Sequence, residues 1–345
     1  MQKRLLVRKL IEQQRLYIMA IVPASKYLTP EEIRDLSTKT NWQGWLVVGQ
    51  IWGTTALIFL MAGLFPNVLT IILAIFLLGG RQLACAIIMH DGGHFSIFKS
   101  KELNTYVGKW LGAYPIMSDV LRYREYHLRH HINNGTTEDP DISLTKGYPT
   151  TVASMLRKFF RDLSGLTGIK TQVAFTAMQL NYLSFSLSRE VEKISQKDRS
   201  WAEFFQTAYQ NLSGPIAAQF LLFGILWAFG AGWLYLLWAA ALLTSYTFCI
   251  RVRSMSEHAL IDDITNPIRN TRTTIPAWWE KWLFAPMNVN YHVEHHMLMA
   301  VPSYHLPKMH RLLKERGFYQ EGVIENGYLN VIKMAMQLKP LPHAH

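Results

Sequence analysis

The stretch TNWQGWLVVGQIWGTTALIFLMAGLFPNVLTIILAIFLLGG, Thr40 to Gly80, runs for 41 residues without one Asp, Glu, Lys, Arg or His. A membrane helix needs about 20 apolar residues, so this stretch holds two. Phe65-Pro66-Asn67, near its middle, carries turn chemistry. A second stretch, Phe204 to Ile250, is equally free of charge over 47 residues and breaks at Gly230-Ala231-Gly232. Buried helices of a soluble protein rarely go so long without a charge. The reading predicts two helical hairpins, about 43–88 and 215–250. Their four spans lie near 43–65, 67–88, 215–229 and 232–250, with room for the third to start before Pro215.

The rest of the composition fits this layout. Half of the 345 residues are apolar and 17% are charged, which excludes a disordered chain. The net charge of +11 suits either nucleic acid or a membrane protein with basic loops. Its distribution decides. Residues 1–39 hold 8 Lys/Arg, 99–203 hold 15 and 251–345 hold 11, while neither hairpin turn holds any. This is membrane sidedness, with no nucleic-acid partner expected and both termini cytoplasmic. Met1–Leu28 lacks a signal-peptide core, and Leu5, Leu6, Leu10 and Ile11 beside Arg4, Arg8 and Lys9 suggest an interfacial helix. Cys85 and Cys249 read as reduced packing residues.

The histidines carry the chemistry. Of 13, eight fall in three boxes: His90 and His94 in HDGGH, His127, His130 and His131 in HLRHH, His292, His295 and His296 in HVEHH. Residues three and four apart share a helix face, so each box can aim its imidazoles at one point. Imidazole suits iron, zinc, copper and nickel. His258 joins by height. Continuing helices lift His90 and His258 ~15 and ~12 Å beyond the two charge-free stretches. Nine ligands are too many for one tetrahedral zinc and suit two metals. No Glu-x-x-His pair occurs, which leaves an all-imidazole two-metal site, with iron the sensible choice for oxygen chemistry.

These boxes resemble those of the membrane fatty acid desaturase family. So do Glu138-Asp139-Pro140-Asp141 after the second box and Asn288-Val289-Asn290-Tyr291 before the third. The resemblance runs from about His90 to His310. It implies a di-iron centre that uses O2 as co-substrate to remove hydrogen from a fatty acyl or lipid substrate. It also implies a separate electron donor, such as ferredoxin or a cytochrome b5 type protein. The three residues inside HDGGH match the plant and bacterial style of enzyme, and a bacterial inner membrane is the expected location. Free fatty acid, acyl-lipid and acyl-carrier-protein substrates stay open. Related enzymes with such boxes hydroxylate fatty acids or decarboxylate them to terminal alkenes, which is the alternative outcome.

A metal-bound histidine usually donates its other N–H to a carboxylate. Asp91, Asp139, Asp141, Glu257, Asp262 and Glu294 lie beside the boxes and are candidates, while Asn270–Thr274 caps a helix or reaches the site. Gly79, Gly80, Trp110 and Tyr114 are candidates for the substrate path. His305 and His310 lie too far along to join the third box, and His343 and His345 read as tail. The expected fold is an all-α integral membrane protein with four transmembrane helices in two hairpins and a cytosolic helical cap holding the histidine-rich di-iron site. An N-terminal segment (1–39), a catalytic domain (40–310) and a C-terminal tail (311–345) complete it. A metal or proton transporter is disfavoured, because both central stretches lack ionisable groups at mid-bilayer.

Overall fold

The computed structural model describes residues 24–188 and 191–336. The expected N-terminal interfacial helix, His343, His345 and the Pro340-Leu341-Pro342 end lie outside them. Helix dominates. α1 (Pro30–Leu36) precedes α2 (Asn41–Leu64) and α3 (Val68–Gly93). Pro66 stops the chain from continuing as one helix, and Asn67 starts the next by accepting the Thr70 N–H. α4 (Lys101–Val107) runs on into a π-helical turn, Gly108–Ala113, and α5 (Val120–Asn133) follows. Next come α6 (Ile142–Thr145), α7 (Val152–Leu163), α8 (Leu166–Gln179) and α9 (Trp201–Ala228). α9 begins at a Ser200–Glu203 capping box, well before Pro215, so the third span is longer than its apolar core suggested. α10 (Tyr235–Leu243) and α11 (Ser245–His258) are separated by a break at Thr244, with φ −120° and ψ −90°.

Four helical runs are long and apolar enough to cross a membrane: Asn41–Leu64, Val68–Gly93, Trp201–Ala228 and Gly232–His258. Their outer faces keep large apolar side chains exposed, among them Leu57, Leu60, Val68, Leu69, Phe220 and Trp227. So much exposed apolar surface fits a lipid surround. α3 is the central helix and packs on α2, α10 and α11. Its 26 residues span about 39 Å, longer than a hydrocarbon core of about 30 Å. His90 lies about 33 Å along α3 from Val68, beyond that length. Gly92 lets α3 approach Gly108 and Asn104 closely: a Cβ there would lie 2.9 Å from the Asn104 carbonyl oxygen.

The remaining elements are β1 (Thr273–Ile275), α12 (Trp278–Leu283), α13 (His292–Met297), α14 (Leu306–Glu315), β2 (Ile324–Asn326) and α15 (Tyr328–Ala335). β1 and β2 pair in parallel, Thr273 with Ile324. This small sheet is a departure from an all-α chain. Asn270–Thr274 therefore leads into a strand rather than capping a helix. Residues 191–200 form no helix, and Lys193 bridges Leu183 antiparallel. Residues 311–336, expected as tail, are packed: Leu313, Phe318, Tyr328 and Val331 are buried.

Candidate metal centre

Four helices deliver the nine histidines. His90 lies in the last turn of α3 and His94 at its C-terminal cap. α5, started by Asp119 accepting the Leu121 and Arg122 N–H groups, carries His127, His130 and His131. α11 ends on His258, and the short α13 carries His292, His295 and His296. Their nitrogens sort into two groups. His90, His94, His127, His131 and His295 each place one within 4.8 Å of all the others. His130, His258 and His296 form a second such cluster, and Glu257, His258 and His292 a third that shares His258. The first and second groups adjoin, with the His131 and His296 ring centroids 4.3 Å apart.

The nitrogens behave as ligands would. His131 Nε2 stands 3.0 Å from His127 Nε2 and 3.2 Å from His295 Nε2, and His292 Nε2 stands 2.8 Å from His258 Nε2. Nε2 of His90, His94, His130 and His296 is buried with no hydrogen-bond partner. Buried polar atoms are normally paired, and two lone pairs facing each other repel. A cation between them resolves both problems, so the residues fit metal ions. Burial holds His94, His127, His131, His292 and His296 well below the usual imidazole range, and His295 at about 3. These rings are neutral at pH 7, the state that binds metal.

His130 differs. Burial opposes its charge, but the Asp139 hydrogen bond, with Asp141 and Glu257 nearby, outweighs burial and raises its pKa. Its Nδ1 lies 2.8 Å from Asp139 Oδ1 and 3.7 Å from Asp141 Oδ2. His90 Nδ1 lies 2.7 Å from Asp91 Oδ1. Glu257 Oε1 is 3.5 Å from His292 Nδ1, close enough for an ionic contact but long for a hydrogen bond. Asp91, Asp139, Asp141 and Glu257 thus stand beside the imidazoles.

The other two carboxylates do not. Asp262 is exposed and pairs with Arg269 at 2.6 Å, away from the cluster. Glu294, fully buried, accepts from His310 Nδ1 at 2.6 Å, from the Thr273 hydroxyl at 2.5 Å and from the Tyr319 hydroxyl. His310 therefore joins the third box through a carboxylate, while His305 Nδ1 donates to the Leu36 carbonyl oxygen at 2.9 Å. Sequence reasoning also missed Arg253, whose Nε donates to Glu257 at 2.7 Å. The i, i+4 spacing in RVRSMSEH was its available signal.

A cavity of about 250 Å³ reaches His127, His130, His258 and His292. None of Gly79, Gly80, Trp110 or Tyr114 lines it. Gly79 and Gly80 instead let α3 touch Ser245 and the Trp282–Leu283 backbone. Trp110 and Tyr114 pack edge to face at 5.2 Å, and Gly214 of α9 sits against the Tyr114 ring.

Comparison with known proteins agrees with this picture. The fatty acid desaturase family model matches residues 66–325. The chain is 24% identical over 250 residues to the Delta(5) fatty acid desaturase fat-4 of Caenorhabditis elegans, covering 66% of this chain and 54% of that protein. It is 24% identical over 249 residues to the dihydrorhizobitoxine desaturase of Bradyrhizobium elkanii, covering 70% and 66%. Against the sn-1 oleoyl-lipid 12-desaturase of Synechocystis the figures are 26% over 246 residues, covering 66% and 64%. The chain spans about half the length of the worm relative and of a mouse relative, where the covered share is 50%. On a match across most of its length, the chain belongs to the fatty acid desaturase family.

Proposed function

We propose that this chain is an O2-dependent membrane oxidoreductase that introduces a double bond into a fatty acyl chain. One observation carries the reading: nine imidazoles converge in two adjoining groups, with facing or orphaned Nε2 atoms. His90, His94, His127, His131 and His295 would hold one iron, and His130, His258, His292 and His296 the other. Two bound irons would supply the redox chemistry by which O2, two substrate hydrogens, two electrons and two protons become two waters. A separate donor, such as ferredoxin or a cytochrome b5 type protein, supplies the electrons.

The chain's own groups prepare that chemistry. Asp91 and Asp139 accept from Nδ1 of His90 and His130, which turns Nε2 toward the metal. Arg253 offsets the charge of Glu257, so the carboxylate can stay near His292 in a buried place. Tyr126 donates to Asp141 and holds the 138–141 turn against α5. The cavity beside His258 and His292 shelters an acyl segment from bulk water.

The four apolar helices support two membrane hairpins, with the histidine-bearing segments and both termini cytoplasmic in a bacterial inner membrane. Residues 40–310 then form the catalytic body, and the packed residues beyond them brace it. All the relatives named above are desaturases, so hydroxylation and decarboxylation are not favoured. The test is twofold. Protein purified without oxygen should hold two irons per chain. Lipids from cells expressing it should gain a double bond that disappears in His295→Ala. One zinc and no iron would sink the metal assignment; a new hydroxyl group or a shortened terminal alkene would sink the desaturation.

A further inference from the structure

The successive helices α7 and α8 have two unlike faces. One packs on α11. Met155 is buried there, and Phe159 meets the Phe248 ring edge to face at 5.0 Å. Asp162, fully buried, accepts from Arg251 Nε and Nη2 at 2.5 and 2.9 Å. The other face is exposed and apolar. It carries Leu156, Phe160 and Leu163 on α7, then Leu166, Ile169 and Val173 on α8, at spacings of three and four. Phe160 keeps 68% of its surface exposed and Val173 65%. Six large apolar side chains left outside along two successive helices mark a contact surface rather than scattered exposure.

Two observations say what covers it. The first is depth. Gly168 of α8 lies against the end of α10: a Cβ there would stand 2.0 Å from the Leu243 carbonyl oxygen. Leu243 comes seven residues before Ile250, where the second charge-free stretch ends. Along a helix that is about 10 Å inside the apolar layer, the depth to which amphipathic helices sink at a membrane surface. A soluble protein docking from the cytoplasm meets the headgroups before it reaches that level.

The second is charge. Residues 142–188 hold five Lys/Arg and one acid, Asp162, which Arg251 already pairs. Arg157, Arg161 and Lys170 are exposed, and each directly follows a residue of the apolar stripe. One residue further on is about 100° around the helix, so the cations border the stripe on one side. Apolar side chains beside such a basic edge suit acyl tails beside headgroups, and the cations select anionic lipid.

We propose that α7 and α8 form a hairpin sunk into the cytoplasmic leaflet beside the fourth span, with its basic edge on anionic lipid headgroups. The hairpin adds a membrane contact to those of the four spans. It is independent of the reaction proposed above and rests only on the membrane placement of those spans.

Lipid quenching tests it. Cys85 and Cys249 are buried, so a thiol-reactive bimane labels an introduced surface cysteine selectively. The full chain carrying Phe160→Cys or Ile169→Cys is labelled and reconstituted in bilayers of equal parts phosphatidylcholine and phosphatidylglycerol. Bromine is carried on the upper acyl chain of one lipid or the other. Both labels should be quenched several-fold more by brominated lipid than by aqueous iodide, and the reverse should hold for Lys314→Cys, exposed on α14. Bromine on phosphatidylglycerol should quench Phe160→Cys about twofold more than bromine on phosphatidylcholine. Arg157→Gln, Arg161→Gln and Lys170→Gln together should erase that excess. Quenching by iodide and not by lipid at both positions overturns the insertion. Shielding from both quenchers overturns it too, since a second copy or another protein then covers the face. Equal quenching by the two lipids overturns the anionic contact. Leu57→Cys, exposed on α2, reports the spans themselves. No lipid quenching there would refute the spans and the hairpin together, whereas its loss at Phe160 and Ile169 alone refutes only the hairpin.

Discussion

Glu294 accepts the His310 Nδ1–H at 2.6 Å from within the third histidine box, while His292, His295 and His296 on either side of it turn their nitrogens into the histidine cluster. The Thr273 hydroxyl and the Tyr319 hydroxyl donate to the same carboxylate. One buried acid therefore ties α13 to β1, α14 and the turn after α14. His310→Ala removes a donor from a fully buried carboxylate, at a cost on the order of 1–3 kcal/mol. The expected result is a lower melting temperature and weaker iron retention, with partial rescue by His310→Gln. Calorimetry and metal analysis check it. Iron retention equal to wild type in both His310→Ala and Tyr319→Phe would show that this clamp does not position the box.

His258→Ala and His295→Ala should each lose one of two irons, from different groups. His258 shares nitrogens with His130, His292 and His296, whereas His295 shares them with His90, His94, His127 and His131. His305→Ala is the control, since that ring bonds the Leu36 carbonyl. Metal content per chain, measured on all three, decides. A His258→Ala protein with full iron would remove that residue from the ligand set.

The histidine clusters were legible because their geometry is local. Spacings of three and four on one helix bring His127, His130 and His131 together whatever the rest of the chain does. The height argument for His258 was local too, since it needed only a helix continuing past Ile250. Glu294 was not legible. Which way its carboxylate turns depends on His310 and Tyr319, which lie 16 and 25 residues further on. Three-residue strands leave no periodicity to read, so β1 and β2 went unseen. The cavity was equally hidden, because its walls come from helices far apart in sequence.

The two hairpin turns, Phe65–Asn67 and Gly230–Gly232, lack Lys and Arg, whereas every other segment outside the apolar stretches has several. Reporter fusions at Ala231 and after His345 should therefore show opposite sides of the membrane, with the C-terminus cytoplasmic. The same side for both would break the second hairpin and with it the shared compartment of the boxes.

Acid should destabilise the metal-free protein. Burial keeps His94, His127, His131, His292 and His296 well below the usual range and His295 at about 3, while the unfolded chain titrates near 6.5. Between those values the unfolded state binds more protons, so stability is full above about pH 6.5 and lost as pH falls. His130 has the opposite sign, since its raised pKa gives stability below the unfolded value that is lost as pH rises. Six groups outweigh one. Melting temperatures measured from about pH 7.5 down to about pH 5 should fall steadily. A rise on acidification would mean that the imidazoles are not buried neutral.

Gly79 and Gly80 were first read as candidates for the acyl path, and their surroundings now predict a different phenotype. A Cβ on Gly79 would stand 2.3 Å from Ser245 Oγ and 2.7 Å from its backbone carbon. On Gly80 it would stand 2.8 Å from the Trp282 carbonyl oxygen. Backbone cannot give way as a side-chain tip can, so Gly79→Ala and Gly80→Ala should each cost about 1–3 kcal/mol by overpacking. Gly49 and Gly53 on α2 have nothing near them. Alanine there should leave stability unchanged or raise it by about 0.5–1 kcal/mol through helix propensity. Melting in detergent and yield from membranes compare the four variants, and product chain length is read on whichever survive. Normal stability of Gly79→Ala with a shortened product would return the acyl path to α3. Lowered stability with unchanged product length places these glycines in the helix contact.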